Sequence, residues 1–572
     1  MIRQRIHRQH IACWFTLLLL LAGFSVPSSA SLVIEAENVP IHTAGTGMNI
    51  DGGWKQYSNG EFGTYIKCEK SAKYQVVVNA AGTPAVNVWP LMGLLLDGTT
   101  VDTVSVEQRD WKAYTFSKTL SAGVHKLTLS FTNDALINGE DRNLLVDNVT
   151  ITPLAAGIAD PRVASDEEVA SYKANNIANL QHADDETLRE TNARIEKYRK
   201  GDARVRIVDA QGRPVAGARI VVDQTQHDFL FGCNIFMLNH FKTPEENAAY
   251  AQRFAELFNY CTVPFYWRGY EPVRGQPNYA STEPIVAWCI QHKIQMKGHP
   301  LLWGNKAGIP TWLDGVPAAE VQQQRVADII GRFTGRINRW EVVNEPAHLA
   351  SIPIDNPYRW AHQDDPNAYL IVNDYDVMHS GCPAFFQLLQ QAKQNGVPFN
   401  GIGIQAHEPT TMRFPLGQVY RILNQYATLG KDLHITEFSP TSGGQQITGP
   451  YEGGVWDEAT QAEYAEKFYR ICFSHPAVVA ITWWDLCDNG SWLPGGGMLR
   501  KNLTPKPVYT ALHKLITEEW HTHAEGKTDK RGDFSFRGFY GTYHVVVPGK
   551  TVVSSDVHVA KGDAQIMTIR VQ

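Results

Sequence analysis

The chain has 572 residues, too many for one compact core, and length alone points to two to four domains. With 43% hydrophobic and 19% charged residues it reads as an ordinary globular protein, which excludes disordered and fibrous classes. The 52 basic and 58 acidic residues give a net charge of −6 without a basic cluster, so nucleic acid is not an expected partner.

At the N-terminus Arg3, Arg5 and Arg8 precede the apolar run Ile11–Phe24, and Ser28-Ser-Ala30 supplies small residues for cleavage. This is the pattern of a secretory leader over residues 1–30, and it predicts a secreted, extracellular or periplasmic chain starting near Ser31. The run is short for a span of roughly 20 residues, and no membrane association is expected after cleavage. Of eight cysteines, Cys13 lies in the leader, and the other seven lack metal-finger spacing and cannot all pair.

Residues 31–153 alternate apolar and polar in short runs such as Tyr74-Gln-Val-Val-Val-Asn79 and His125-Lys-Leu-Thr-Leu-Ser-Phe131, which predicts a β-sandwich. Residues 154–200 read as a linker followed by a polar helical segment anchored by Leu180, Leu188 and Ile195. Arg204–Asp209 and Ala218–Asp223 are expected to pair as a hairpin about Gln211-Gly-Arg-Pro214, within an accessory segment 201–225. Over 226–517, eight apolar runs beginning at Phe229, Tyr260, Ile294, Arg339, Tyr369, Gly401, Leu433 and Val479 alternate with helical patterns. In one of these, Thr243-Pro-Glu-Glu246 forms a capping box with proline in the first turn. Eight strand–helix repeats in roughly 290 residues predict a (β/α)₈ barrel, whose chemistry sits at the carboxyl ends of its strands. Residues 518–572 return to strands, which either join the hairpin in one small β-module or fold as a separate tail.

Glu345 and Glu437 fall at the ends of the fourth and seventh runs. A retaining glycosidase needs two carboxylates about 5–5.5 Å apart, one protonated beside the leaving oxygen and one ionised below the anomeric carbon. A barrel would bring these two together.

Several motifs between about Asp228 and Ile516 resemble glycoside hydrolase family 10, the β-1,4-xylanase barrels. They are Gly298-His-Pro-Leu-Leu-Trp303, Trp340-Glu-Val-Val-Asn-Glu345, Gly401-Ile-Gly-Ile-Gln-Ala-His407, Ile435-Thr-Glu437, and Trp484 with Ser491-Trp492. The resemblance implies Glu345 as acid/base with a raised pKa and Glu437 as a nucleophile kept ionised by hydrogen bonds. It implies sugar contacts from His299, Trp303, Asn344, Trp484 and Trp492, support of Glu345 by Gln405, and a charge-assisted hydrogen bond from His407 to Glu437. No catalytic cofactor is implied, and the expected partner is xylan or a related plant cell-wall polysaccharide. Two departures stand out. Where the family has Glu-Asn-Glu-Met-Lys-Trp, this chain has Thr262-Val-Pro-Phe-Tyr-Trp267, and the acid two residues beyond the nucleophile is Ser439. Tyr266 and Trp267 are either new stacking faces or core.

The first domain resembles calcium-dependent, xylan-binding carbohydrate-binding modules, through Glu35-Ala-Glu37 and Asp141-Arg-Asn-Leu-Leu-Val-Asp147. The resemblance implies oxygen ligands for Ca²⁺ from Glu35, Glu37 and Asp147, and a second, ligand-facing set of Asn133, Asp134 and Asp141. Trp54, Trp89 and Trp111 are either platforms or core. Three functions fit: a retaining endo-β-1,4-xylanase, a retaining glycosidase for another β-glycan or decorated xylan, and a carbohydrate-binding protein without catalysis.

Overall fold

In a computed structural model, the described residues are 31–572 except 44, 138, 409, 553–555 and 563–565. The expected leader lies outside them. They divide into two units, one ending at Lys173 and the other beginning at Ala174. Among the described residues no helix is long and apolar enough to cross a membrane.

The first unit is a β-sandwich. One sheet has Asn143–Pro153 between Ala72–Thr83 and Gly53–Gln56, and the other has Gly123–Phe131 between Gly60–Cys68 and Leu91–Leu96. Alternation places Tyr74, Val76, Val78, Leu127, Leu129, Val146 and Ile151 between the sheets. Arg162–Val163, inside the expected linker, is a short strand on Gly60–Cys68. Trp54 is core, stacked on His42 at 4.1 Å with its indole N–H donating to Gln56, whereas Trp111 is exposed.

The second unit holds a closed barrel of eight parallel strands: β1 (Leu230–Asn234), β2 (Tyr260–Pro264), β3 (Gln295–His299), β4 (Arg339–Asn344), β5 (Tyr369–Asp374), β6 (Gly401–Gln405), β7 (Asp432–Phe438) and β8 (Val478–Trp483). Closure runs through β1–β8 and β3–β4. Gly298 is required at the β3–β4 seam, because a Cβ there would lie 2.1 Å from the Trp340 ring. Strand alternation sends Cys261, Val263 and Phe265 to the helix layer, and Leu230, Tyr260 and Ala480 form a small apolar cluster of their own. The helix Pro244–Leu257 has its capping box, with Glu246 N–H donating to Thr243 Oγ1 and Thr243 N–H to Glu246 Oε2, both at 3.2 Å.

Arg204–Asp209 and Ala218–Asp223 do not pair with each other. Lys200–Val208 pairs with Asp533–Phe539 and Ile566–Arg570, while Arg219–His227 pairs with His523–Lys527 and Gly541–Val546. Both expected hairpin arms have an apolar face, and each completes a different sheet of a two-sheet module around Val205, Ile207, Val222, Tyr543 and Val545. The C-terminal strands therefore share one core with the segment that precedes the barrel.

The segment entering the barrel is held by buried polar groups. Arg199 donates to the carbonyls of Phe473, His475 and Val478, each at 2.6 Å, between the rings of Phe229 and Phe473. Asp184, 3% exposed, accepts from Leu416 N–H at 2.7 Å and the Tyr451 hydroxyl at 2.6 Å. Asp184→Ala leaves both donors buried without their acceptor, and is expected to destabilise the barrel unit by about 1–3 kcal/mol in urea unfolding followed by near-UV circular dichroism.

Candidate active site

Glu345 and Glu437 come to the same end of the barrel, at the close of β4 and β7. Glu345 accepts from the Trp303 indole N–H at 2.8 Å and from Gln405 Nε2 at 3.0 Å. Its backbone has φ of +56°, a left-handed conformation that a non-glycine residue adopts at a cost of about 1–3 kcal/mol. Burial raises its pKa, aided by the charge of Asp374 and opposed by the donors Gln405, Trp303 and Asn344.

Glu437 is 5% exposed and accepts from Asn373 Nδ2 at 3.1 Å. The same amide donates to Asn344 Oδ1 at 2.9 Å, while Asn373 Oδ1 accepts from the Thr436 hydroxyl at 2.5 Å. Asn373 thereby fixes Asn344 and Glu437 together. Burial pushes the Glu437 carboxyl well up, and the charges of Glu341 and Glu345 push the same way, against Lys297 and the Asn373 hydrogen bond. For a nucleophile expected to be kept ionised by hydrogen bonds, the Asn373 bond and the Lys297 charge act in favour and burial acts against. Both carboxyls are thus raised chiefly by burial, Glu345 at the more open edge and Glu437 deeper in the barrel.

The expected charge-assisted bond from His407 is corrected. Burial drives its pKa down to about 3, so the ring is neutral. Its Nε2–H lies 3.2 Å from Gln405 Oε1 and 3.4 Å from Glu437 Oε2, while Nδ1 and the Ser439 hydroxyl have no protein partner. The series Glu345, Gln405, His407 and Glu437 is a continuous polar bridge between the two carboxylates.

Below the pair, Lys297 and His299 Nδ1 both donate to Glu341, with all three side chains inside the barrel. The Lys297 charge, with the hydrogen bonds from both, holds Glu341 ionised, near a pKa of about 2, despite its burial. His299 keeps Nε2 for the site. His299, Glu341 and Glu437 form the one group of three metal-capable side chains among the described residues whose ligand atoms lie within 4.8 Å of one another, and the Lys297 ammonium supplies the cation there. Trp484 is nearly buried, whereas Trp492 is 53% exposed and lies over His407 at 4.6 Å, so the open stacking face belongs to Trp492.

Of the divergent stretch, Val263 is wholly buried in the helix-facing core, and Trp267 is core too, its indole bonded to Glu271. Tyr266 is half-buried beside His299 and Trp303. On the other flank His348 stacks on Tyr375 at 3.7 Å and pairs with Asp374 at 2.6 Å, and burial beside Glu345 raises Glu408 to about 6. Asn373, Lys297, Glu341 and Asp374 are site residues missed in the sequence. Their signal was present: Asn373-Asp374 ends an apolar run as Glu345 does, and Lys297 and Glu341 interrupt runs where an unpaired charge would be prohibitive.

In the first unit Glu35, Glu37 and Asp147 do not converge on one point at the spacing of a metal site. Asp147 Oδ2 is taken by the amides of Asn79 and Asn148. Glu37 Oε2 alone is buried without a partner. Asn133 is a loop clasp, with Oδ1 accepting from Leu91 N–H and Nδ2 donating to the Trp89 carbonyl. Asp134 and Asp141 do face one another closely enough for the charge of Asp141 to raise Asp134 along with its burial. Their carboxylates are hard oxygen donors of the kind calcium takes, with the Ser58 hydrogen bond and the charge of Arg142 acting against the rise of Asp134.

A family model described as "Glycosyl hydrolase family 10" matches residues 223–515, and one described as "Ca-dependent carbohydrate-binding module xylan-binding" matches 75–166. Among curated proteins, the chain is 26% identical over 394 residues to "Anti-sigma-I factor RsgI6" of Acetivibrio thermocellus, covering 66% of this chain and 49% of that protein. It is 28% identical over 282 residues to "Endo-1,4-beta-xylanase B" of Thermotoga neapolitana, covering 44% and 78%. It is 30% identical over 282 residues to "Endo-1,4-beta-xylanase B" of Humicola insolens, covering 44% and 76%. The chain thus spans about half the length of the first of these relatives. Among solved structures, native xylanase 10B from Thermotoga maritima superposes with a TM-score of 0.43 at 26% identity, over 51% of this chain and 96% of that one. With more than half its length matched by the family model, and with both carboxylates at the ends of β4 and β7, the chain belongs to glycosyl hydrolase family 10.

Proposed function

We propose that the protein is a secreted, retaining endo-β-1,4-xylanase that cuts within xylan chains by double displacement, with an appended xylan-binding module. The observation that carries this reading is the polar bridge from Glu345 through Gln405 and His407 to Glu437. In the first step Glu437 attacks the anomeric carbon while Glu345 protonates the leaving oxygen, and in the second Glu345 takes a proton from water as the sugar ester on Glu437 is hydrolysed. Trp303 and Gln405 aim the Glu345 carboxyl. Asn373 donates to Glu437 and neutral His407 lies 3.4 Å from it, neither bringing a full positive charge, which leaves the carboxylate nucleophilic. Asn344, its oxygen engaged by Asn373 and its amide donating toward Glu345, has one N–H left for a sugar hydroxyl. Secretion rests on the leader-like N-terminus.

Glu345→Ala and Glu437→Ala should each lower kcat on xylan by about 10³-fold or more with the unfolding midpoint retained, read as reducing ends released. Wild-type rates in purified Glu437→Ala would sink the mechanism. Proton NMR of the first products should show the β-anomer, and an initial α-anomer would exclude retention.

The alkaline limb of kcat/KM follows loss of the Glu345 proton. Gln405 favours the ionised form of Glu345, so Gln405→Leu raises the Glu345 pKa and should move that limb to higher pH. A shift to lower pH would contradict the assignment.

Asp134 and Asp141 are the residues fitted to hold calcium, which would serve carbohydrate binding and no catalytic step. Chelation with EDTA, or Asp134→Ala with Asp141→Ala, is expected to weaken retention of the full chain on insoluble xylan about tenfold or more, leaving turnover of soluble xylo-oligosaccharides intact.

A further inference from the structure

The turn that carries Glu345 off the end of β4 is held from the side by the end of β5. At its start the Glu345 N–H donates to the Asn373 carbonyl at 2.8 Å. Next comes Pro346, which has no N–H to give, so the first backbone donor beyond the acid is Ala347. The Ala347 N–H donates to Asp374 Oδ2 at 2.8 Å. The turn then closes on itself, with the Leu349 N–H donating to the Glu345 carbonyl at 2.8 Å.

Asp374 is fully buried, and this turn shares its carboxylate with its own strand end. Oδ1 accepts from the Tyr375 N–H at 2.9 Å and meets His348 Nδ1 at 2.6 Å. The His348 ring lies almost flat on Tyr375, 3.7 Å away at 18°, so the second residue of the clamp is fixed as well. A carboxylate without exposed surface does not touch a sugar, and what it gives the reaction passes through the turn it holds. Its neighbour Asn373 meanwhile bonds Glu437 and Asn344. Two consecutive residues of β5 thus reach the two catalytic carboxyls, one directly and the other through the backbone behind it.

Glu345 needs such a hold. Its φ of +56° is a conformation that a residue other than glycine keeps only where its surroundings over-determine it. Relaxation of that backbone would swing the carboxyl away from Trp303 and Gln405, the donors that aim it.

We propose that Asp374 is the positioning residue of the acid/base, clamping Ala347 and His348 so that the left-handed turn keeps the Glu345 carboxyl aimed at the leaving oxygen. This rests on the retaining-glycosidase reading and adds the residue that sets the geometry of its proton transfer.

The test compares two substrates of the full chain, with each variant at the pH of its own maximum so that the lost charge of Asp374 does not enter. Xylohexaose needs a proton on its leaving oxygen, a step to which general acid catalysis contributes about 10²–10⁴-fold. The phenolate of 2,4-dinitrophenyl xylobioside departs without one. A shift of about 1 Å in a catalytic group costs roughly 10²-fold. In Asp374→Ala and Asp374→Asn, kcat/KM on xylohexaose is therefore expected to fall about tenfold or more, and on the aryl substrate about threefold at most. A merely structural defect removes active sites and lowers both rates alike. Equal falls on the two substrates, or no fall on xylohexaose, would overturn the proposal. Asp374→Asn, which keeps the shape of the side chain, decides the matter should Asp374→Ala not fold. Silence of the wild type on both substrates would instead refute the glycosidase reading, and this proposal with it.

Discussion

The electrostatics of the site depend on two unlike charges placed side by side in the barrel. Lys297 on β3 and Glu341 on β4 are both fully buried, and neither could stand there alone, since an isolated ion loses several kcal/mol of hydration in such a place. Joined across the seam where the barrel closes, they leave a lysine cation and a glutamate anion directly beneath Glu437. The anion locks His299 by its Nδ1 and lifts the proton affinity of Glu437, while the cation tempers that lift. Removing one partner would therefore disturb the fold and the chemistry together, because the surviving charge would have no counterion.

Above this base the site is assembled from neutral donors. Burial keeps the His407 ring uncharged, and the residue two positions after Glu437 is Ser439, which brings no opposing acid. Asn373, Gln405 and the Trp303 indole complete a set in which each hydrogen bond is aimed by a strand end and none brings a net charge. It is the surroundings that give the two carboxylates their separate roles. Glu345 has indole and amide donors at the open edge, whereas Glu437 lies deeper, over the charged pair.

Much of this was legible in the sequence. The eight apolar runs located the barrel strands to within a residue or two, because strands buried on both faces write continuous apolar runs. Glu345 and Glu437 were visible because each terminates such a run. The Thr243 capping box could be read because it is local. Pairing was not legible: the arms flanking Gln211-Gly-Arg-Pro214 carry a hairpin pattern, yet their partners come from more than 300 residues away. Nor could alternation in a short stretch say which of residues 262–267 faces the sugar. Asn373 escaped notice because an asparagine at a strand end is commonplace until the carboxylate above it is known. Of the acids read from short motifs, Glu35, Glu37 and Asp147 do not converge, since proximity to a sheet edge in sequence does not bring carboxylates together, whereas Asp134 and Asp141 feel each other's charge.

The left-handed backbone of Glu345 is a place where local preference and catalytic need disagree. An asparagine or glycine would sit there more comfortably, so the protein holds a residue its own backbone disfavours, and the hydrogen bond from Glu345 N–H to the Asn373 carbonyl at 2.8 Å helps to keep it there. Drift toward stability alone would erase the acid first. A homologue bearing glycine at this position, on an otherwise intact barrel, would thus be the sturdier protein, able to hold a polysaccharide it could no longer cut.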